Sequence, residues 1–176
     1  MAWIVVDVEA DGPAPGLYSM LSVGAVVAEP DADDFAHTFY AELRPVSEHW
    51  LEDAIRVGGF TREQTLSFED PEPVMHRFAE WVQKTPGKPV FVSDNNGFDW
   101  QFVNWYFHRF VGGNPFGYSS RNLGSLYCGL TRDTAARIET VRSGALSHNA
   151  LDDAIANARV LVSLARRFGL DITGRL

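Results

Sequence analysis

Trp3-Ile4-Val5-Val6-Asp7-Val8-Glu9-Ala10-Asp11-Gly12-Pro13 is the stretch on which the fold turns. Residues 3–8 form a short run rich in apolar β-branched side chains, and Asp11-Gly12-Pro13 closes it with a strong turn signal. It reads as a buried central strand. Asp7 and Glu9 alternate with Val6 and Val8, so the period of two sends both carboxylates to one face. Two buried anions that close repel each other unless something compensates, and a hard divalent cation with oxygen ligands is the usual solution. If the strand instead ends at Val8, both acids are solvated turn residues; spacing alone leaves both readings open.

Working outward, residues 19–29 and 36–43 read as two further strands joined by a hairpin turn at Pro30-Asp31-Ala32-Asp33-Asp34. Helical spacing of apolar residues recurs over 49–57 and over 71–83, where Val74, Phe78, Trp81 and Val82 form the stripe. Residues 88–93 make a short buried strand, followed by the polar loop Asp94-Asn95-Asn96-Gly97 and a helix from Phe98 to about Phe110. Residues 112–130 are glycine-rich and aromatic with a trace of strand over 123–127, and 131–147 mix helical and loop signals. A last helix spans about 149–168, with Leu151, Ala154, Ile155, Ala158, Leu161, Val162 and Ala165 on one stripe and Gly169 as its stop. Strands first, then helix, strand, helix and helix imply an α/β domain, a mixed sheet with helices packed on it and its first strand central.

The 176 residues fit one domain, 1–176, and with 45% hydrophobic and 22% charged residues neither disorder nor a fibrous architecture is expected. No stretch reaches the roughly 18 consecutive apolar residues of a spanning helix. Residues 1–9 lack a basic leader with a cleavage site, so an unexported protein without membrane association is expected. The single cysteine, Cys128, rules out an intramolecular disulfide and a multi-cysteine zinc site and fits a reducing, cytoplasmic location. As a nucleophile it has no support; a buried small hydrophobe is the simpler reading. The net charge of −8 argues at first against a nucleic-acid partner. If carboxylates converge on cations, however, the metals set the charge that a phosphate meets.

Further candidates follow the strands. Asp99 falls in the first turn of its helix, where an acid is also favoured by the helix dipole, but the loop after a strand in an α/β sheet is where ligands bind. Ser147-His148-Asn149-Ala150-Leu151-Asp152-Asp153 opens the last helix; Asn149 is a natural cap, and periodicity does not choose between Asp152 and Asp153.

Asp-Val-Glu at 7–9, Asn-Asn-Gly-Phe-Asp at 95–99 and His-Asn-Ala-Leu-Asp-Asp at 148–153 together resemble the three motifs of the DEDDh exonucleases, in their order and over most of the chain. The nearest likeness is to small bacterial proteins of the mycobacterial exoribonuclease-like group. The resemblance implies a ribonuclease H-like fold with a mixed five-stranded sheet flanked by helices. It implies 3′-to-5′ hydrolysis of RNA or DNA, as single strands or 3′ overhangs, with nucleoside 5′-monophosphates as product. It also implies two Mg2+ or Mn2+ ions held by Asp7, Glu9, Asp99 and Asp153, the five-residue interval from His148 selecting Asp153 over Asp152. Asp7 would bridge the ions, Glu9 and Asp153 would complete the water-activating site, and Asp99 would hold the second ion partly through water. An imidazole changes protonation state near neutral pH, which suits His148 as general base.

From the family's habit of seating the terminal nucleotide near the first strand, Ala10, Gly12, Leu17, Tyr18 and Leu21 are the expected substrate contacts. Arg137 and Arg142 are weighed between phosphate contact and a solvated basic face. Trp100, Trp105, Tyr106 and Phe107 read as core and interface packing rather than a base-stacking platform. A homodimer is left open. The nearest rival is a haloacid-dehalogenase-like phosphatase with Asp7 as nucleophile, whose Asp-x-Asp start is not met because residue 9 is Glu. A catalytically silent nucleic-acid-binding module is the other, and the complete set of five side chains speaks against it.

Overall fold

Alternation along β1 (Ala2–Ala10) decides how the molecule is layered. Ile4, Val6, Val8 and Ala10 enter one apolar cluster and Val5 enters a second on the opposite face, so Asp7 and Glu9 continue the face of Val5. The strand does not end at Val8. It runs on to Ala10 with Asp7 only 8% exposed, which removes the solvated-turn reading of the two acids. This computed structural model describes residues 1–30 and 34–173; of the expected turn at 30–34, residues 31–33 lie outside the described ones.

The five strands are ordered β3-β2-β1-β4-β5, with β2 Met20–Val27, β3 Thr38–Glu42, β4 Pro89–Ser93 and β5 Ser120–Asn122. β1 lies at the centre. It pairs antiparallel with β2 and parallel with β4; β2 and β3 are antiparallel, β4 and β5 parallel, so the sheet is mixed. Two short helices, α1 (Glu52–Val57) and α2 (Arg62–Leu66), precede α3 (Pro71–Lys84). α3 and α4 (Asn96–Phe110) pack their apolar stripes on one face of the sheet. α5 (Leu123–Thr131) and α6 (Ala150–Phe168) cover the other.

Asp70 caps α3 by accepting the Glu72 N–H, and the stripe of Val74, Phe78 and Val82 is fully buried, with Phe78 stacked on Phe39 and Phe107. On α4, Phe102, Val103, Tyr106 and Phe107 are buried while Trp100 and Trp105 pack partly buried beside them, so the aromatic cluster is core. The trace of strand over 123–127 is a misreading. Asn122 accepts the Ser125 N–H at 2.6 Å and starts a helix whose Leu123, Leu126, Tyr127 and Leu130 meet the second apolar cluster at i, i+3, i+4 and i+7. The strand itself is the three residues before it. Among the described residues no helix is long and apolar enough to cross a membrane.

Candidate active site

β1 outruns β4. Its pairing with β4 covers Ala2 to Val5, whereas its pairing with β2 continues to Ala10, so the end of β1 projects beyond the fourth strand. There the backbone N–H of Val8 donates to Asp99 Oδ1 at 3.3 Å. The first turn of α4 is thereby hooked between Asp7 and Glu9. Asp99 is 2% exposed and its Oδ2 has no hydrogen-bond partner.

A glycine brings the last helix to the same place. Gly24 pairs with Asp7 across the sheet, and a Cβ on it would lie 2.3 Å from the backbone C and O of Ala150. Only a residue without a side chain lets the first turn of α6 lie directly on β2. Asn149 caps that turn, its Oδ1 accepting the N–H groups of Leu151 (3.1 Å) and Asp152 (3.2 Å). Asp153 is then buried toward the sheet and Asp152 exposed, which settles by packing what periodicity left open.

Asp153 also shapes the chain before the helix. Its Oδ1 accepts the Ser147 N–H at 2.7 Å and its Oδ2 the His148 N–H at 2.9 Å. Those bonds accompany a left-handed backbone at His148, φ 60°, which is uncommon for a residue with a Cβ. The imidazole is exposed, and a ring nitrogen lies in a group with carboxylate oxygens of Glu9 and Asp153, all within 4.8 Å of one another. Asp7, Asp94 and Asp99 form a second such group by the same measure.

Asp94 was read from sequence as part of a polar loop. It follows β4 directly, and its carboxylate joins the group and pairs with Arg142 at 2.5 Å. The signal available was its place one residue past a buried strand; what hid it is that Asp94-Asn95-Asn96-Gly97 also reads as plain loop punctuation. Arg142 is no solvated basic face: its side chain is 6% exposed and lines the same cavity as the acids. Arg137 is exposed and pairs with Glu139 at 3.6 Å.

These groups line an open cavity of about 760 Å³, walled by Ala54 and Val57 of α1, Phe98 of α4 and residues 144–146. Arg142 is the single arginine or lysine among its described lining residues, against Asp7, Glu9, Asp94, Asp99, Glu139 and Asp153. Burial, with Asp99, Glu9, Asp94 and Asp153 adding repulsion, holds Asp7 well above the usual carboxylate range. Burial likewise raises Asp99, against the lowering effect of the Ser93 hydroxyl and the Val8 N–H, with repulsion from Asp94 and Glu9 adding to the rise. Burial and the charge of Asp153 push Glu9 up to about 7. Carboxylates that resist ionisation, together with a buried oxygen that has no donor, fit divalent cations as the missing partners.

Of the expected substrate contacts, Ala10 lines the cavity. Gly12 is packed under the Tyr18 ring, where a Cβ would come within 2.1 Å of Cδ1, and Leu17 is 52% exposed outside the lining. Leu21 is 1% exposed and is withdrawn as a contact, because β2 buries it. Sequence reading also missed Asp11. Fully buried, it accepts the Ser19 N–H at 2.5 Å and pairs with Arg62 at 3.3 Å, tying the loop after β1 to the start of α2.

The architecture is that of the ribonuclease H-like nucleases. The nuclease domain of 3′hExo, a DEDDh family member solved bound to rAMP, superposes with a TM-score of 0.75 at 17% identity, covering 94% of this chain and 92% of that one. The zinc-bound complex of Escherichia coli exonuclease I with single-stranded DNA gives 0.74 at 18% identity, covering 94% of this chain but only 40% of the other. The model of the 3′-5′ exoribonuclease Rv2179c-like domain matches residues 2–164, and the chain belongs to that family. It is also 40% identical over 133 residues to the 3′-5′ DNA exonuclease Cap18 of Escherichia coli, covering 73% of this chain and 69% of that protein. Membership removes the dehalogenase-like reading, in which Asp7 would carry a phosphoryl group.

Proposed function

We propose that the chain is a two-metal-ion exonuclease that removes nucleoside 5′-monophosphates from the 3′ end of single-stranded nucleic acid or a 3′ overhang. The observation that supports this most is that Asp7, Asp94 and Asp99 form one close group and Glu9, His148 and Asp153 another at one mouth of the sheet, each with potential ligand atoms within 4.8 Å of one another. Asp7 is repelled by members of both groups, as expected of a carboxylate shared between two sites. Asp7, Glu9, Asp99 and Asp153 would hold the ions, with Asp99 Oδ2 a buried oxygen that accepts no hydrogen bond. Magnesium or manganese, when bound, would neutralise the phosphate and acidify the attacking water.

The remaining work falls to the protein. His148, exposed at the rim beside Glu9 and Asp153, accepts the proton of the water that attacks phosphorus as the bond to the 3′-oxygen breaks. Ala10, Val57 and Phe98 give the cavity apolar wall against which a terminal nucleotide can seat. The acid-rich lining repels a polyanion unless cations are bound, so substrate affinity follows metal occupancy.

The relatives divide on the sugar, one being described as an exoribonuclease and another as a DNA exonuclease. The test therefore uses RNA and DNA oligonucleotides labelled at either end, with Mg2+ or Mn2+ and with chelator. A 5′-labelled ladder shortening from the 3′ end, with monophosphates released and no reaction in chelator, is expected. Internal cuts, or products ending in a 3′-phosphate, contradict the proposal.

A further inference from the structure

Arg142 is the cation of the cavity, yet it is turned away from solvent. Its guanidinium meets Asp94 Oδ2 at 2.5 Å, with the two side chains 6% and 14% exposed. Asp94 is itself fixed: its Oδ1 accepts the Asn95 N–H at 2.8 Å, and its backbone carbonyl accepts Asn122 Nδ2 at 2.7 Å. Six residues beyond Arg142 stands His148, held by its own N–H on Asp153. Between those two anchors, residues 143–146 make no hydrogen bond to the rest of the described chain. The segment that carries the histidine is thus tied by polar contacts at its two ends, to the tip of β4 and to α6.

We infer that the Asp94–Arg142 pair is a positioning device for His148, clamping the 142–148 segment over the acids of β1. The inference rests on the proposed function, since it assigns the device to the same reaction. The guanidinium is 6% exposed within the cavity lining, and its one hydrogen bond goes to Asp94 Oδ2, whose other oxygen accepts the Asn95 N–H. The planar guanidinium suits such a strap better than a flexible ammonium does, although here it binds through one terminal nitrogen and leaves Nε buried without a partner. A reacting group displaced by about 1 Å costs on the order of 100-fold in rate, so a strap of this kind acts on turnover rather than on binding.

The test compares Arg142→Met, Arg142→Lys, Asp94→Asn and the double variant Asp94→Asn/Arg142→Met with the wild type. Turnover, KM on a short oligonucleotide and Mn2+ affinity by calorimetry are measured for each. Each of Arg142→Met and Asp94→Asn is expected to lose roughly 10- to 100-fold in kcat. KM and Mn2+ affinity should stay within about twofold, and Arg142→Lys should recover part of the loss. The double variant should be no slower than either single one, because the two residues act as a unit. It leaves no uncompensated buried charge and carries the comparison should a single variant fold poorly. A rise in KM with kcat kept, a loss of Mn2+ affinity in Asp94→Asn, or additive losses in the double variant overturn the inference. A wild type with no metal-dependent 3′-5′ activity overturns the proposed function instead.

Discussion

Glu9 is the residue at which the chemistry of the site becomes measurable. Burial and Asp153 raise its carboxyl to about 7, so near neutral pH a cation must displace a proton to bind there. Mn2+ titrations at pH 6.5, run in two buffers of different ionisation enthalpy, are expected to show proton release that shrinks by pH 8.5; equal release at both values contradicts the assignment of Glu9. His148 lies beside it at the rim with a separate duty. His148→Ala is expected to lose about 100- to 10,000-fold in turnover, the usual weight of a general base, while Mn2+ affinity is kept. Loss of both together counts against the base. At this scale the sequence showed Asp7, Glu9, Asp99 and His148, because a strand of period two and three motif fragments mark them. It did not show Asp94, whose part depends on Arg142 arriving from 48 residues away.

Among elements, the crossing of α6 over β2 decides whether a site exists at all. Gly24 faces Ala150 with no room for a methyl group, and the same contact delivers Asp153 and His148 to Asp7 and Glu9. Gly24→Ala is expected to cost about 1–3 kcal/mol by overpacking and to reduce activity far more than that loss of fold explains. Denaturant unfolding read beside nuclease rate checks it, and a variant of wild-type activity removes the claim. Strands and long helices were legible because each has a strong period: β1, β4, α3 and α6 differ from expectation by about two residues at most. β5 and α5 were not, since a three-residue strand running straight into a helix offers no period to read, and only Asn122 marks the junction.

For the whole molecule the acids are a load on the fold. A carboxyl whose folded pKa is raised lends stability below its unfolded value, and that stability is lost as pH rises through the folded value. For Glu9 the loss runs from about pH 4.5 up to about 7, and Asp7 and Asp99 are shifted in the same direction. The metal-free protein should therefore melt lower as pH rises from 5 to 8, and Mn2+ should restore more stability at pH 8 than at pH 5. Asp99→Asn, which removes one repelled charge, should raise the metal-free melting temperature while losing activity; a lower one contradicts buried repulsion.

Cation occupancy is where all of this converges, and calorimetric titration of the metal-free chain with Mn2+ at pH 8 reads it directly. Two ions per chain are expected for the wild type and none in the same concentration range for Asp7→Ala. Unchanged binding in that variant, or no binding by the wild type, contradicts the account.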